Sequence, residues 1–315
     1  MSVSKPNAAK NADSQFIWMD GKLIPYAEAT VHVLSHSLHY GGAAFEGIRA
    51  YHTTDGRTAI FRAKEHFERF NQSIRSLNYN AVFSVSDLMS AASEVVKANG
   101  FKECYIRPVA YLDDTFRGLK LPARVDARIA IAVWSWGKYL GEEGLANGIR
   151  IMTSTFRRPD IASSMTWSKL SGNYLTSVQA RWEATQNGFD EALLLDPQGF
   201  VAEGSGENLF VVRDGILYTP TTGYILPGIT RSSILEIASS LGLTVHESHI
   251  TRNQVYLADE VFFTGTAAEI TPIREVDRHP IGTGKPGPIT KKLSEAFFNC
   301  LKGDNKKFEK WLTYV

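Results

Sequence analysis

The strongest constraint on this chain is a change of hydrophobic period within its first half. From Ala63 to Leu77, the residues Phe67, Phe70, Ile74 and Leu77 recur at spacings of three and four, which gathers them on one face of a helix. Ser86 to Ala98 repeats that pattern and stops at Gly100, a residue suited to the left-handed turn that ends helices. The period then changes. Cys104 to Leu112 and Ala127 to Trp136 are dense in Ile, Val, Tyr and Trp, which suits strands with at least one buried face. Upstream, Asp20-Gly21 between Phe16–Met19 and Lys22–Pro25 is a hairpin signal. The front of the chain is therefore expected to be mixed α and β.

The run Trp136-Gly-Lys-Tyr-Leu-Gly-Glu-Glu-Gly carries three glycines in nine residues, which marks it as a domain boundary. Beyond it, strands are expected at Gly148–Phe156, Asp190–Asp196, Gly199–Ala202, Asn208–Tyr218, Val245–His249 and Glu260–Gly265. Helices are expected at Asn173–Gln186, Arg231–Leu241 and Pro288–Leu301. Residues 1–14 are small and polar, too poor in apolar surface to order, and are expected to be a disordered N-terminal arm. The expected organisation is a small α/β domain at 15–136, a linker at 137–145 and a larger domain at 146–315. A chain of 315 residues is long enough for two cores.

Composition excludes several functions. With 34 Lys plus Arg against 33 Asp plus Glu, the net charge of +1 provides no field for a nucleic acid or an anionic membrane. No stretch approaches the roughly 20 apolar residues of a spanning helix, and Met1 to Ser14 lacks the apolar segment of a signal peptide, so a cytoplasmic protein is expected. Cys104 and Cys300 are far apart and read as packed, reduced thiols. Gly282-Thr-Gly284-Lys-Pro-Gly287 matches a dinucleotide pattern, but only a final helix follows it, with no βαβ unit to carry an acid at a next strand, and Pro286 breaks a phosphate-loop reading. His36 and His39 have no thiolate or HExxH context, so no metal site is expected.

Three stretches together point to chemistry. Met165-Thr-Trp-Ser-Lys169-Leu-Ser-Gly172-Asn173-Tyr174 sets a lysine in a tight polar link before a helix, with small residues that let a bulky group lie close. Ala202-Glu203-Gly204-Ser205-Gly206-Glu207-Asn208 follows a strand, and its glycines permit a bend that aims one carboxylate inward. Such a carboxylate at Glu203 could hold a pyridinium nitrogen charged, the contribution a protein makes when pyridoxal phosphate carries the electrons. Leu226-Pro-Gly228-Ile229-Thr230-Arg231 then opens a helix whose free amides and positive dipole end suit a phosphate. Exposed acids in a hairpin and a plain helix cap are the bland alternatives for the last two.

Taken together, these stretches resemble the fold-type IV pyridoxal phosphate enzymes, and specifically the branched-chain amino acid aminotransferases, over residues 16–315. The resemblance also rests on Leu38-His-Tyr-Gly41, Phe45-Glu-Gly-Ile-Arg49, Glu65-His-Phe-Glu-Arg69, Tyr105-Ile-Arg-Pro108 and Thr264-Gly-Thr-Ala-Ala-Glu-Ile-Thr-Pro272. It implies a two-domain α/β fold with the cofactor between the domains, and a homodimer that lends residues across its interface. By resemblance Lys169 forms the Schiff base with pyridoxal 5'-phosphate and moves the proton, Glu203 pairs with the pyridine nitrogen, and Tyr174 bonds the ring hydroxyl. Arg69, Ile229, Thr230 and Thr266 are expected to hold the phosphate. A lysine amine is protonated at its ordinary pKa of about 10.4, so burial and Schiff-base formation must free its lone pair before it acts as a base.

Tyr105 and Arg107 lie two apart on a strand and so share one face. The resemblance makes this pair part of a pocket that accepts an aliphatic side chain or the far carboxylate of 2-oxoglutarate. Tyr40, Phe45, Trp136 and Tyr139 are expected as its walls, with Thr266 and Ala267 as partners of the α-carboxylate. Asp113-Asp114-Thr115-Phe116-Arg117-Gly118-Leu119 departs from the glycine-rich apolar loop of the family, and Arg117 is expected either to swing in as a carboxylate fork or to pair with Asp113 or Asp114 at the surface. The expected reaction moves the amino group of L-Leu, L-Ile or L-Val to 2-oxoglutarate. A D-amino acid or (R)-amine transaminase, or an aminodeoxychorismate lyase-like lyase, is the alternative on the same scaffold.

Overall fold

The structure, a computed structural model, describes residues 14–137 and 141–315. Two compact units emerge: the chain up to Gly137 together with Lys310–Val315, and Lys138–Glu309.

In the first unit an eight-stranded sheet runs in the order Leu312–Tyr314, Thr58–Phe61, Ile48–His52, Cys104–Tyr111, Arg128–Trp134, Phe16–Met19 and Lys22–Pro25, with Ala44–Phe45 also paired to Cys104–Tyr111. The hairpin forms where Asp20-Gly21 predicts it. Asp20 and Gly21 take φ of 47° and 92°, the left-handed pair that matches strand twist. The helices Ala63–Ser76 and Val85–Asn99 supply the other layer, burying Phe67, Phe70, Ile74, Leu88 and Val95. The second helix starts earlier than its apolar repeat implies because Ser84 caps it. The Ser84 hydroxyl accepts from the Asp87 amide and the Asp87 carboxylate accepts from the Ser84 amide.

Two boundaries differ from the sequence expectation. The last residues return to the first unit, where Leu312–Tyr314 pairs with Thr58–Phe61 and Arg62 donates its amide to the Trp311 carbonyl at 2.7 Å. The physical cause is an unpaired sheet edge, which the terminal strand covers. The helix Gly141–Asn147 begins inside the expected linker and runs past its end. Most of the expected disordered arm, residues 1–13, lies outside the described residues. Ser14 is buried, its hydroxyl donating to the Val133 carbonyl.

The second unit is built on a nine-stranded mixed sheet. Six of its strands close into a ring in the order Val201–Gly204, Glu191–Leu195, Ile149–Arg157, Glu269–Val276, Glu260–Gly265 and Asn208–Arg213, and the register pair Glu203–Asn208 joins the last to the first. Its core packs Ile151, Leu193, Leu209, Val261, Phe263 and Ile273. Gly282 and Gly284 belong to a surface turn. A Cβ at Gly282 would sit 2.2 Å from the Asp259 carbonyl oxygen, so close backbone approach accounts for the glycine there.

Candidate active site

Within the second unit, a short 3-10 turn at Ser171–Asn173 leads into the helix Tyr174–Gln186 and sets Lys169 at its foot. Lys169 Nζ donates to the Tyr174 hydroxyl at 2.6 Å. Glu203 lies on Val201–Gly204, a strand with every residue buried. Its Oε1 meets Arg158 Nε at 3.1 Å, and its Oε2 accepts from Asn208 Nδ2 at 3.0 Å and the Leu226 amide at 3.2 Å. Burial pushes the Glu203 pKa up, while Arg158, the Leu226 amide, Lys169 and Arg231 pull against it.

Two further carboxylates are buried beside it. Glu191 accepts from the Arg181 guanidinium and from the Ala192 amide at 2.6 Å, and burial raises its pKa. Glu207 accepts from the Gly206 amide at 3.0 Å and is pushed up to about 8, first by burial and then by the charge of Glu191. Burial beside two other carboxylates favours the protonated form of Glu207 at neutral pH.

The helix Ile229–Ser240 begins at Gly228, and Ile229 and Thr230 are both buried. First-turn amides have no acceptor within their own helix, which leaves them suited to an anion. Thr266 and Ala267 lie in the three-residue loop between Glu260–Gly265 and Glu269–Val276, closed by the pair Gly265–Glu269 with Glu269 at φ 54°.

In the first unit, Tyr105 and Arg107 share one face of Cys104–Tyr111, and Arg107 Nη2 donates to the Tyr105 hydroxyl at 3.4 Å. The guanidinium carbon lies 5.0 Å from the Phe45 ring centre, 5.2 Å from Tyr105 and 5.6 Å from Trp134. Trp136 packs against Tyr105 with ring centres 4.3 Å apart. Gly47 is required here by space, since a Cβ would fall 1.9 Å from the Tyr105 hydroxyl oxygen. Arg69, on Ala63–Ser76, binds Glu46 through Nε at 2.7 Å and Nη2 at 3.0 Å, and Glu46 also meets His66 Nδ1 at 2.8 Å. Burial would raise Glu46, but Arg69 and then His66 outweigh it and hold the carboxyl well below the usual range.

Two named positions are exposed at the surface, and a third is not described. Tyr40 is half exposed on the short helix His36–Tyr40, its ring tilted against His36 with ring centres 4.6 Å apart. Arg117 is exposed and donates to the Asp114 and Phe116 carbonyls of its own loop, with the Asp114 carboxylate 4.0 Å away; Asp113 binds Arg128 instead. Tyr139 lies outside the described residues. His36 and His39 direct their Nε2 atoms to the Gly118 and Val33 carbonyls, at 2.9 and 3.0 Å. Cys104 and Cys300 are buried free thiols pushed up to about 12 by burial.

Sequence reasoning gave no role to Arg158, Trp134, Glu46 or Asn208. Trp134 could have been found, being two residues before Trp136 at the end of the same strand pattern. Glu46 and Asn208 stand inside recognised motifs. Arg158, in a run Arg157-Arg158-Pro159, carries no local signal at all.

The second unit thus brings together a lysine against a phenol, a buried carboxylate on the wall of a strand ring and a helix start. Residues 43–276 match the family described as amino-transferase class IV, and this chain belongs to that family. Its relatives there are branched-chain-amino-acid aminotransferases: the one from Pseudomonas aeruginosa is 46% identical over 95% of this chain and 97% of its own length. The Escherichia coli K12 enzyme of the same description is 42% identical, covering 97% and 98%. The crystal structure of the T.th. branched-chain amino acid aminotransferase with pyridoxamine 5'-phosphate superposes at a TM-score of 0.92 and 46% identity, covering 96% of this chain and 98% of that one. The fold is accordingly the two-domain α/β fold of type IV.

Proposed function

We infer that this chain is a pyridoxal 5'-phosphate-dependent transaminase that moves the amino group of L-leucine, L-isoleucine or L-valine to 2-oxoglutarate, giving the branched-chain 2-oxo acids and L-glutamate. The observation that carries this is the 2.6 Å contact of Lys169 Nζ with the Tyr174 hydroxyl, in the unit where Glu203 is buried and Arg158-paired. Pyridoxal phosphate fits these residues. Lys169 supplies the amine, Glu203 an inward carboxylate for the pyridine nitrogen, Tyr174 a phenol for the ring hydroxyl, and the Ile229 and Thr230 amides with Thr266 the phosphate contacts. When bound, the cofactor supplies an electron sink for the amino acid's α-carbon.

The chain's own residues do the rest. Lys169 Nζ takes and returns the α-proton, with the Tyr174 hydroxyl fixing where that nitrogen stands. The aromatic side chains around Arg107 present apolar surface to an aliphatic substrate, while the guanidinium answers the distal carboxylate of 2-oxoglutarate. Thr266 and Ala267 take the α-carboxylate from their loop. The structure solved with N-(5'-phosphopyridoxyl)-L-glutamate, 44% identical at a TM-score of 0.90, supports an amino acid bearing a second carboxylate as a ligand of this fold.

Two copies of the chain are expected to pair, since Tyr26, Val31, Val33, Leu34, Leu38 and Tyr40 expose apolar surface along one segment. A monomer mass by light scattering would sink the pairing. A cytoplasmic setting suits the two buried free thiols. The deciding experiment is the visible spectrum of the protein before and after L-leucine, with D-leucine and Lys169→Ala alongside. Bleaching by L-leucine alone, absent from the variant, is the expected result; bleaching by D-leucine instead overturns the substrate assignment.

A further inference from the structure

Asn208 occupies the seam at which the strand ring of the second unit closes. It is 5% exposed and is the register partner of Glu203 across that seam. Its Nδ2 donates twice, to Glu203 Oε2 at 3.0 Å and to the Leu226 carbonyl at 3.0 Å. The Leu226 amide donates to the same Glu203 oxygen at 3.2 Å, so carboxylate, amide side chain and backbone form a closed ring of hydrogen bonds. An asparagine amide has two N–H donors and one carbonyl oxygen. With two acceptors facing it, the nitrogen must point their way, which turns Oδ1 toward Gly228. There the fit is tight, since a Cβ on Gly228 would lie 1.9 Å from Asn208 Oδ1. Gly228 has φ −71° and ψ 134°, a conformation open to any residue, so contact with Asn208 rather than backbone strain excludes a side chain.

Glu203 and the helix that starts after Gly228 are two separate elements, and Asn208 touches both. We propose that Asn208 is a positioning residue that ties the pyridine carboxylate Glu203 to the phosphate-binding helix start at Gly228–Thr230, fixing the spacing between the groups that hold the two ends of one cofactor. This rests on the functional reading above, in which both groups serve pyridoxal phosphate. In that reading Asn208 is assigned no contact of its own with substrate or cofactor. A rigid tether of this kind makes binding at one end prepay the ordering of the other, so the phosphate adds more affinity than it would to a loose site.

The test compares two probes, pyridoxal 5'-phosphate and pyridoxal without the phosphate, titrated by absorbance into the cofactor-free full chain. In the parent, the phosphate-bearing form binds far more tightly. In Asn208→Ala, the ratio of the two affinities falls about tenfold, while pyridoxal alone binds nearly as before. A role confined to general packing would weaken both probes alike and leave the ratio at its parental value, which would overturn the proposal. Gly228→Ala provides the second arm, because its new methyl pushes the amide off its partners without removing it. Its effect on the ratio is expected to vanish in the Asn208→Ala background, and full additivity of the two would also overturn the tether. A parent that binds pyridoxal phosphate but transfers no amino group would overturn the functional reading while these ratios still decide the tether; a parent that binds neither probe overturns both.

Discussion

Glu46 in the first unit and Glu203 in the second are both buried carboxylates held by an arginine, yet their surroundings shift them in opposite directions. Glu46 has Arg69 across two bonds and His66 on a third, and it stays ionised well into acid. Glu203 has one Arg158 contact at 3.1 Å and two neutral N–H donors, and burial still raises it. The lesson is one of saturation. A carboxylate whose charge is already answered fixes the shape of its neighbours, whereas one left short of positive charge gains from a further cation such as a protonated pyridine ring.

Breaking that contrast begins with Glu46→Ala. It leaves Arg69 and His66 without their carboxylate in a fully buried place, and urea denaturation should show a loss of about 3–5 kcal/mol. Glu203→Gln is expected to behave differently. Its stability loss should be smaller than that of Glu46→Ala, because the amide keeps an oxygen to accept hydrogen bonds and only Arg158 loses a charged partner, while kcat should fall on the order of 10²-fold in a coupled glutamate assay. Equal stability losses in the two variants would erase the distinction.

The pH dependence sharpens it further. Glu207, raised from 4.5 to about 8, binds its proton more tightly folded than unfolded; its contribution is complete below the lower value and drains away as pH climbs toward the higher one. Glu46 has the opposite sign, its contribution being present above the ordinary carboxylate range and lost only in strong acid. Melting curves should therefore decline for the parent between about pH 5 and 8, and Glu207→Gln should flatten that decline. The smallest effect belongs to Arg117→Ala. Its guanidinium rests on carbonyls of its own exposed loop, so stability should change by less than about 0.5 kcal/mol and the KM for 2-oxoglutarate should hold. A raised KM would restore Arg117 as a carboxylate fork.

Local signals made much of the fold legible. The helix Ala63–Ser76, the strand Cys104–Tyr111 and the Asp20-Gly21 hairpin all follow from side-chain period and turn chemistry within a few residues. The strand Glu269–Val276 escaped notice because Pro272 interrupts it. That proline lies opposite Phe262 in the ladder, and its neighbours keep the register. Ile48–His52 and Thr58–Phe61 were too short to announce themselves, and they become a sheet only because Cys104–Tyr111 and Leu312–Tyr314 pair on either side.

The sequence by itself determined the chemical inventory: a lysine before a helix, a carboxylate in a glycine bend and an open helix start, each recognisable because its backbone conformation depends on residues beside it. Only the tertiary structure decided which charges answer which. Arg158 reaches Glu203, Glu191 raises Glu207, and Asn208 joins a strand to a distant helix start, through contacts whose partners lie far apart along the chain. Pairing energies depend on distance and burial, and neither is written in local sequence. The same motif letter, glutamate, accordingly becomes a locked anchor at one position and a receptive one at another.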